Sequence, residues 1–236
     1  MKSRKTVTDM ESIVDKVKVA FRSKRLVYRA IENTAEDKEF IYEQLQKDPV
    51  TTALGSPVLL RPETRAKSDE DVESVVKSSL LAVMICLPPK DNHDKSSEPK
   101  STTNLGSPKE HEDASPIGCL TLSKQRMDST VHWRWTRLGI QIAEPFQGHG
   151  YGPEAINWAV DWAFTWAGMH RVELGTVSYN TRAADLYRKL GFVQEGVRRG
   201  VIYMNRNWHD LIEFGLLEEE WEARQTSRIE EDSDNN

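Results

Sequence analysis

The chain has 236 residues, with 32 Lys and Arg against 37 Asp and Glu and a formal net charge of −5. That length suits one domain with a full core. Mild acidity, without a basic patch laced with aromatics, argues against a nucleic-acid partner, and no apolar run is long enough for a signal segment or a membrane span.

Two cysteines, Cys86 and Cys119, lie in apolar, strand-like runs. They read as buried small hydrophobes in a reducing compartment, the cytoplasm or the nucleus, with no disulfide indicated. No metal site is expected.

Residues 1–20 read as a flexible N-terminal arm with at most a short helix near Met10 to Ala20. Alternation of Leu26, Tyr28 and Ala30 predicts a first strand between Phe21 and Ile31. Asn33 or Thr34 is placed to cap a helix over Ala35 to Gln46. Val50 to Arg65, punctuated by Gly55, Pro57 and Pro62, reads as loop. Ser68, followed by Glu70, Asp71 and Glu73, marks a helix start. Leu80 to Leu87 is a continuous apolar run and predicts a buried strand. From about 88 to 116 the chain is almost wholly polar and reads as a disordered insertion between two hairpin strands, because it cannot bury enough surface to offset its ordering entropy. Ile117 to Leu122 resumes the sheet.

In Val131 to Ile142 the period-two pattern changes phase. Val131, Trp133 and Trp135 alternate on odd positions, and Leu138, Ile140 and Ile142 on even ones. A bulge between Trp135 and Leu138 would reconcile them. Pro153 to Ala167 is apolar nearly all round, apart from a stripe of Asn157, Asp161 and Thr165, and predicts a helix buried against the sheet. Arg171 to Val177 is the next strand. Ala183, Leu186, Tyr187 and Leu190 then share one helical face, stopped by Gly191. One domain is expected over 21–222, with an acidic, disordered tail over 223–236.

Two stretches carry chemistry. The first is the loop Gln147-Gly148-His149-Gly150-Tyr151-Gly152, between the fourth predicted strand and the apolar helix. Its glycines let backbone approach a ligand, and Pro153 suits the first helical turn. Free N–H groups and the positive end of the helix dipole make such a loop a phosphate site. It lacks the Lys and Ser/Thr of a P-loop, and it fits the dinucleotide fingerprint only in the looser form that starts at Gly150 and ends at Ala155. The second stretch is Asn180-x-x-Ala183-x-x-x-Tyr187-x-x-x-Gly191-Phe192.

Together, and in this order, Gln147-x-x-Gly150-x-Gly152 and the Asn180-to-Phe192 stretch resemble the acetyl-coenzyme A signature of the GNAT superfamily of N-acetyltransferases. The closing residues, Glu195-Gly196, Trp208-His209-Asp210 and Glu219-Glu220-Trp221, are similar to the branch that acetylates ribosomal-protein N-termini. The resemblance implies an α/β fold. Its mixed central sheet would have splayed middle strands and helices on both faces. It implies acetyl transfer from acetyl-CoA to a primary amine, on a protein N-terminus or a small molecule, by direct attack. Monomer and homodimer both fit. A non-catalytic module that binds acetyl-CoA or a protein partner is the alternative.

The resemblance also implies roles. Loop residues Gln147, Gly148, His149, Gly150, Tyr151 and Gly152 would hold the diphosphate. The pantetheine arm would run along Ile140, Gln141 and Ile142, with Asn180 and Ala183 beside it. The bulged strand would offer an unpaired N–H to the thioester carbonyl, and Tyr187 would protonate the departing thiolate. Deprotonating a lysine-like amine at pH 7 is uphill by roughly 4.6 kcal/mol, and an α-amine by only ~1.4. Many relatives carry a glutamate two residues before the strand's glycine, where this chain has Arg137. Glu144 is then a substitute candidate and His132 another, each equally readable as an ordinary surface residue, and water relaying the proton would suit an α-amine or a less basic small amine.

Overall fold

The computed structural model describes residues 10–89, 114–124 and 128–234. Among them, seven strands form one sheet: β1 (Val27–Ala30), β2 (Ser79–Leu87), β3 (Ser115–Ser123), β4 (Trp135–Ile142), β5 (Arg171–Val177), β6 (Val193–Met204) and β7 (Asn207–Leu217). Their order is β1-β2-β3-β4-β5-β7-β6. Every pairing is antiparallel except β4 with β5. The helices are α1 (Met10–Lys18), α2 (Ala35–Phe40), α3 (Pro49–Gly55), α4 (Arg65–Ser78), α5 (Tyr151–Thr165), α6 (Thr181–Lys189) and α7 (Glu218–Asp234).

Both faces of the sheet are covered. On one, Ile156, Ala159, Ala163 and Phe164 of α5 pack with Val83, Ile85, Leu120, Leu138, Val172 and Leu174. On the other, Ile41, Leu45 and Val72 pack with Met84, Cys86 and Ala143. Strand β2 therefore buries alternate residues on opposite sides, which is why its sequence is apolar throughout. The expected mixed sheet with helices on both faces is what forms, and the all-apolar helix is indeed buried. Tyr28 stacks on Trp158 with ring centroids 3.6 Å apart, and the Trp158 indole N–H donates to the Ala20 carbonyl at 2.9 Å.

Helix α2 starts as expected, with Thr34 Oγ1 accepting from the Asp37 N–H. Asp37 is buried and accepts two hydrogen bonds from Arg29, at 2.9 and 2.6 Å. The helix does not run as one α-helix to Gln46; Ile41 to Gln46 form a π-helical turn. The expected loop after Val50 contains α3, capped by Asp48, whose carboxylate accepts from Val50 N and Thr51 N, with Pro49 in the first turn. Helix α4 begins at Arg65 under the cap of Thr64, ahead of Ser68, which is buried within the helix.

Three other expectations are corrected. The phase change before β4 is a late strand start and not a bulge: Asp128–Trp133 form a 3-10 turn, Arg134 has φ +48°, and β4 starts only at Trp135, after which Thr136 and Leu138 are buried in alternation and Leu138–Ile142 pair with β3 without a shift. The tail is not disordered from 223. Helix α7 continues to Asp234, and its Trp221 and Gln225 donate to Asp161 of α5 at 2.5 and 3.1 Å. The polar stripe on α5 thus binds a helix. Of the N-terminal arm, Met10–Lys18 is helical with no buried residue, while 1–9 lie outside the described residues. Most of the expected insertion, 90–113, also lies outside them, and β3 begins at Ser115, before the expected end of that insertion.

Candidate functional site

Strand β4 changes neighbours halfway along. Trp135 to Arg137 pair with Arg171 to Glu173 of β5. Leu138 to Ile142 pair instead with Leu122 to Gly118 of β3. At the changeover, Thr136 Oγ1 donates to the Ser123 carbonyl and Arg137 N–H donates to Ser123 Oγ. Strand β5 meanwhile stays with β7 over its whole length. Beyond Arg137 and Glu173, β4 and β5 therefore diverge, and the main-chain groups on their facing edges have no strand partner. A buried unpaired amide or carbonyl is costly, so such an edge is suited to a ligand with its own amides.

The gap is a cleft of about 490 Å³ lined by Leu138 to Ile142, Gln147, Gly152, Gly175 to Val177, Asn180, Arg182, Ala183 and Tyr187. The predicted residues Ile140, Gln141, Ile142, Gln147, Gly152, Asn180, Ala183 and Tyr187 all meet there. Gly148, His149, Gly150 and Tyr151 do not line it; they form the turn at its mouth. Gly148 and Gly150 have φ of +79° and +80°, left-handed backbone that other residues rarely adopt. Added Cβ atoms at Gly148 and Gly152 would meet nothing within 4 Å, so the space beside these amides is open. Helix α5 begins at Tyr151, directly behind them.

The loop is held from two sides. Gln147 Nε2 donates to the Ile142 carbonyl at 2.9 Å, and Gln147 Oε1 accepts from Arg182 at 3.1 Å. On the other side Arg25 donates to the His149 carbonyl at 2.9 Å and to Glu154 at 2.7 Å, and its guanidinium lies 4.8 Å from the Tyr151 ring centre. Glu154 also accepts from Ser23 Oγ and Arg25 N. Burial works against its charge, but these hydrogen bonds outweigh it and hold the carboxyl below its usual range. A lowered carboxyl stabilises the fold above its unfolded pKa and loses that contribution as pH falls through the folded value. The melting-temperature gap between wild type and Glu154→Gln is thus expected to be present at about pH 7 and to narrow in thermal melts only as pH falls below the ordinary carboxyl range of ~4.3. Arg25 and Ser23 had no signal in the sequence, because their partner lies over a hundred residues away.

Asn180 is fully engaged. Its Oδ1 accepts from Ala183 N at 3.2 Å, capping α6, and its Nδ2 donates to the Leu54 carbonyl at 3.1 Å. Tyr179 donates to the Ala53 carbonyl at 2.8 Å. Helix α3 is thereby strapped across the mouth of the gap, from the end of β5 to Gln141 of β4, whose amide lies against Gly55. Asn180→Ala is expected to cost about 1–2 kcal/mol, the usual loss for an N-cap plus a strap, readable in urea unfolding.

Tyr187 is half-buried, edge-on to Phe214 with ring centroids 5.7 Å apart. Burial raises its pKa, and no hydrogen bond reaches its hydroxyl among the described residues. The phenol therefore stays protonated and free to donate into the cleft. Glu144 is a correction: it is exposed in a 3-10 turn after β4 and does not line the cleft. His132 is likewise exposed and does not line it. The charged residues lining the cleft are Arg137 and Arg182, with no carboxylate among the described residues. Arg137 extends across the fork over Gly175, where an added Cβ would lie 2.6 Å from Nη2. Burial pushes the Cys86 thiol up to about 11 and the Cys119 thiol up to about 12, so neither is a ready thiolate nucleophile.

Residues 86–192 match the model of the acetyltransferase (GNAT) family. The Bacillus subtilis protein YdaF, named for ribosomal N-acetylation, is 30% identical over 105 residues, covering 44% of this chain and 56% of that one. A spermidine N(1)-acetyltransferase of Vibrio cholerae is 32% identical over 88 residues, 37% of this chain and 51% of that one. The chain spans about half the length of the curated relatives it matches. The crystal structure of the spermidine N-acetyltransferase from Vibrio cholerae in complex with CoA and spermine superposes with a TM-score of 0.63 at 21% identity, covering 84% of this chain and 99% of that one. The matched stretch runs from the end of β2 through the fork, the glycine loop and α6, which carry much of the cleft, and over this stretch the chain is similar to the GNAT family of acetyltransferases.

Proposed function

We propose that the protein transfers an acetyl group from acetyl-CoA to a primary amine by direct attack. The observation that carries this reading is the divergence of β4 from β5, which leaves an unpaired strand edge leading to open amides at a helix N-terminus. An extended arm with its own amides suits the edge over Leu138 to Ile142. A diphosphate suits the loop amides and the N-terminus of α5, with Arg182 adding positive charge. Acetyl-CoA brings both features and supplies the reactive thioester.

The proton balance follows from the side chains present. The acceptor ammonium loses one proton to water, since no carboxylate lines the cleft among the described residues. The neutral amine forms a bond to the acetyl carbon, the C–S bond breaks, and the amine gives up a second proton. Tyr187 donates to the departing sulfur and is reprotonated from solvent, so one proton is released overall. A base-free cleft favours amines of lower pKa, and an α-amine meets that condition better than a lysine. Calorimetric titration with acetyl-CoA, followed by thiol release across a panel of amines, tests the reading. Binding near one-to-one with amine-dependent thiol release supports it. A folded protein that does not bind acetyl-CoA overturns it.

A further inference from the structure

A second, smaller pocket of about 250 Å³ adjoins the cleft. The two share Gly55, Ser56, Thr121 and the β4 residues Gly139, Ile140 and Gln141. Gly139 is the opening between them. Its missing side chain keeps the passage clear, and a Cβ there would lie 3.0 Å from Thr121 Oγ1. The far wall comes from the other layer of the fold: Ile31, Ile41, Val72 and Val75, with Gln46 and Asp71.

Two polar groups in this wall differ in kind. Asp71 is already paired, with Lys67 Nζ at 2.6 Å. Gln46 Oε1 is buried and has no hydrogen-bond partner among the described residues. A buried carbonyl without a donor costs free energy, and a ligand N–H entering the pocket would recover it. The pocket thus offers one buried acceptor without a partner, on a wall of Ile31, Ile41, Val72, Val75 and the paired Asp71. Around it the charges are Arg137 and Arg182 in the cleft and Asp71, paired with Lys67. Among the described residues, a chain bearing several ammonium groups would find only Asp71, already paired with Lys67, in the pocket, and in the cleft its second charge would meet arginine.

We propose that the acceptor carries a single amine on a compact apolar body. The body rests on Ile41, Val72 and Val75, and the amine is hydrogen-bonded to Gln46 Oε1 and reaches the cleft past Gly139. Polyamines are excluded by charge. This rests on the acetyltransferase reading and gives it an acceptor class.

The test compares 3-methylbutylamine with spermidine as acceptors, using the full chain, acetyl-CoA and thiol release. The expected kcat/KM for 3-methylbutylamine exceeds that for spermidine by at least roughly tenfold. Gln46→Leu is expected to raise KM for 3-methylbutylamine roughly tenfold with calorimetric acetyl-CoA affinity unchanged. Val75→Phe, which fills the pocket from its solvent edge, should do the same. Equal or better use of spermidine overturns the acceptor class alone. Unchanged KM in both variants overturns the assigned pocket. Failure to bind acetyl-CoA overturns the acetyltransferase reading, and the acceptor class falls with it.

Discussion

Gly152→Glu is expected to weaken acetyl-CoA binding by roughly a hundredfold, about 2.8 kcal/mol. The position is chosen for its surroundings. Gly152 lines the cleft, and an added Cβ there meets nothing within 4 Å. Its backbone is not left-handed, unlike Gly148 and Gly150, so a side chain brings no strain. The new carboxylate would sit in the first turn of α5, where a negative charge favours the helix. The fold is therefore expected to keep its melting temperature while the diphosphate meets a like charge in place of open amides. Calorimetric titration beside a thermal melt reads both quantities. Normal affinity in the variant would place the diphosphate elsewhere.

Tyr187→Phe is expected to lower kcat on the order of a hundredfold, within the range for loss of a general acid. Acetyl-CoA affinity and stability should barely change, since the hydroxyl has no hydrogen-bond partner among the described residues and the ring keeps its contact with Phe214. Stopped-flow measurement of thiol release under saturating substrates reads the step directly. Because burial raises the phenol's pKa, the midpoint of any loss of wild-type kcat from phenol ionisation should lie above ~10, the ordinary tyrosine value. A variant that turns over at the wild-type rate would remove Tyr187 from the mechanism.

Much of the cleft was legible in the sequence because its parts are local. A glycine turn before an apolar helix, and a face carrying Ala183 and Tyr187, are patterns within one or two turns of chain. What escaped was long-range or depended on φ. The phase change before β4 has two solutions, a bulge or a late strand start, and Arg134 at φ +48° decides between them. Glu144 follows β4 closely in sequence, but the 3-10 turn carries it out to solvent. Helix α3 was hidden among glycine and prolines, although Asp48 and Pro49 are a sound start signal. The straps from Tyr179 and Asn180 onto it join residues 126 apart, which no period or spacing reveals. The acidic tail looked too polar to order, yet Trp221 and Gln225 anchor it to Asp161, and the Trp221 ring packs on Phe164.

The strand order has a consequence for how the protein is made. Strand β7 lies between β5 and β6, so one edge of β5 stays bare until residues 207–217 have been synthesised. Strand β5 is one wall of the cleft, and the loop at its mouth is clamped by Arg25 near the other end of the chain. The matched family stretch, 86–192, holds neither of these pieces. A ribosome-bound chain that has not yet released β7 would therefore carry the signature without a finished cleft.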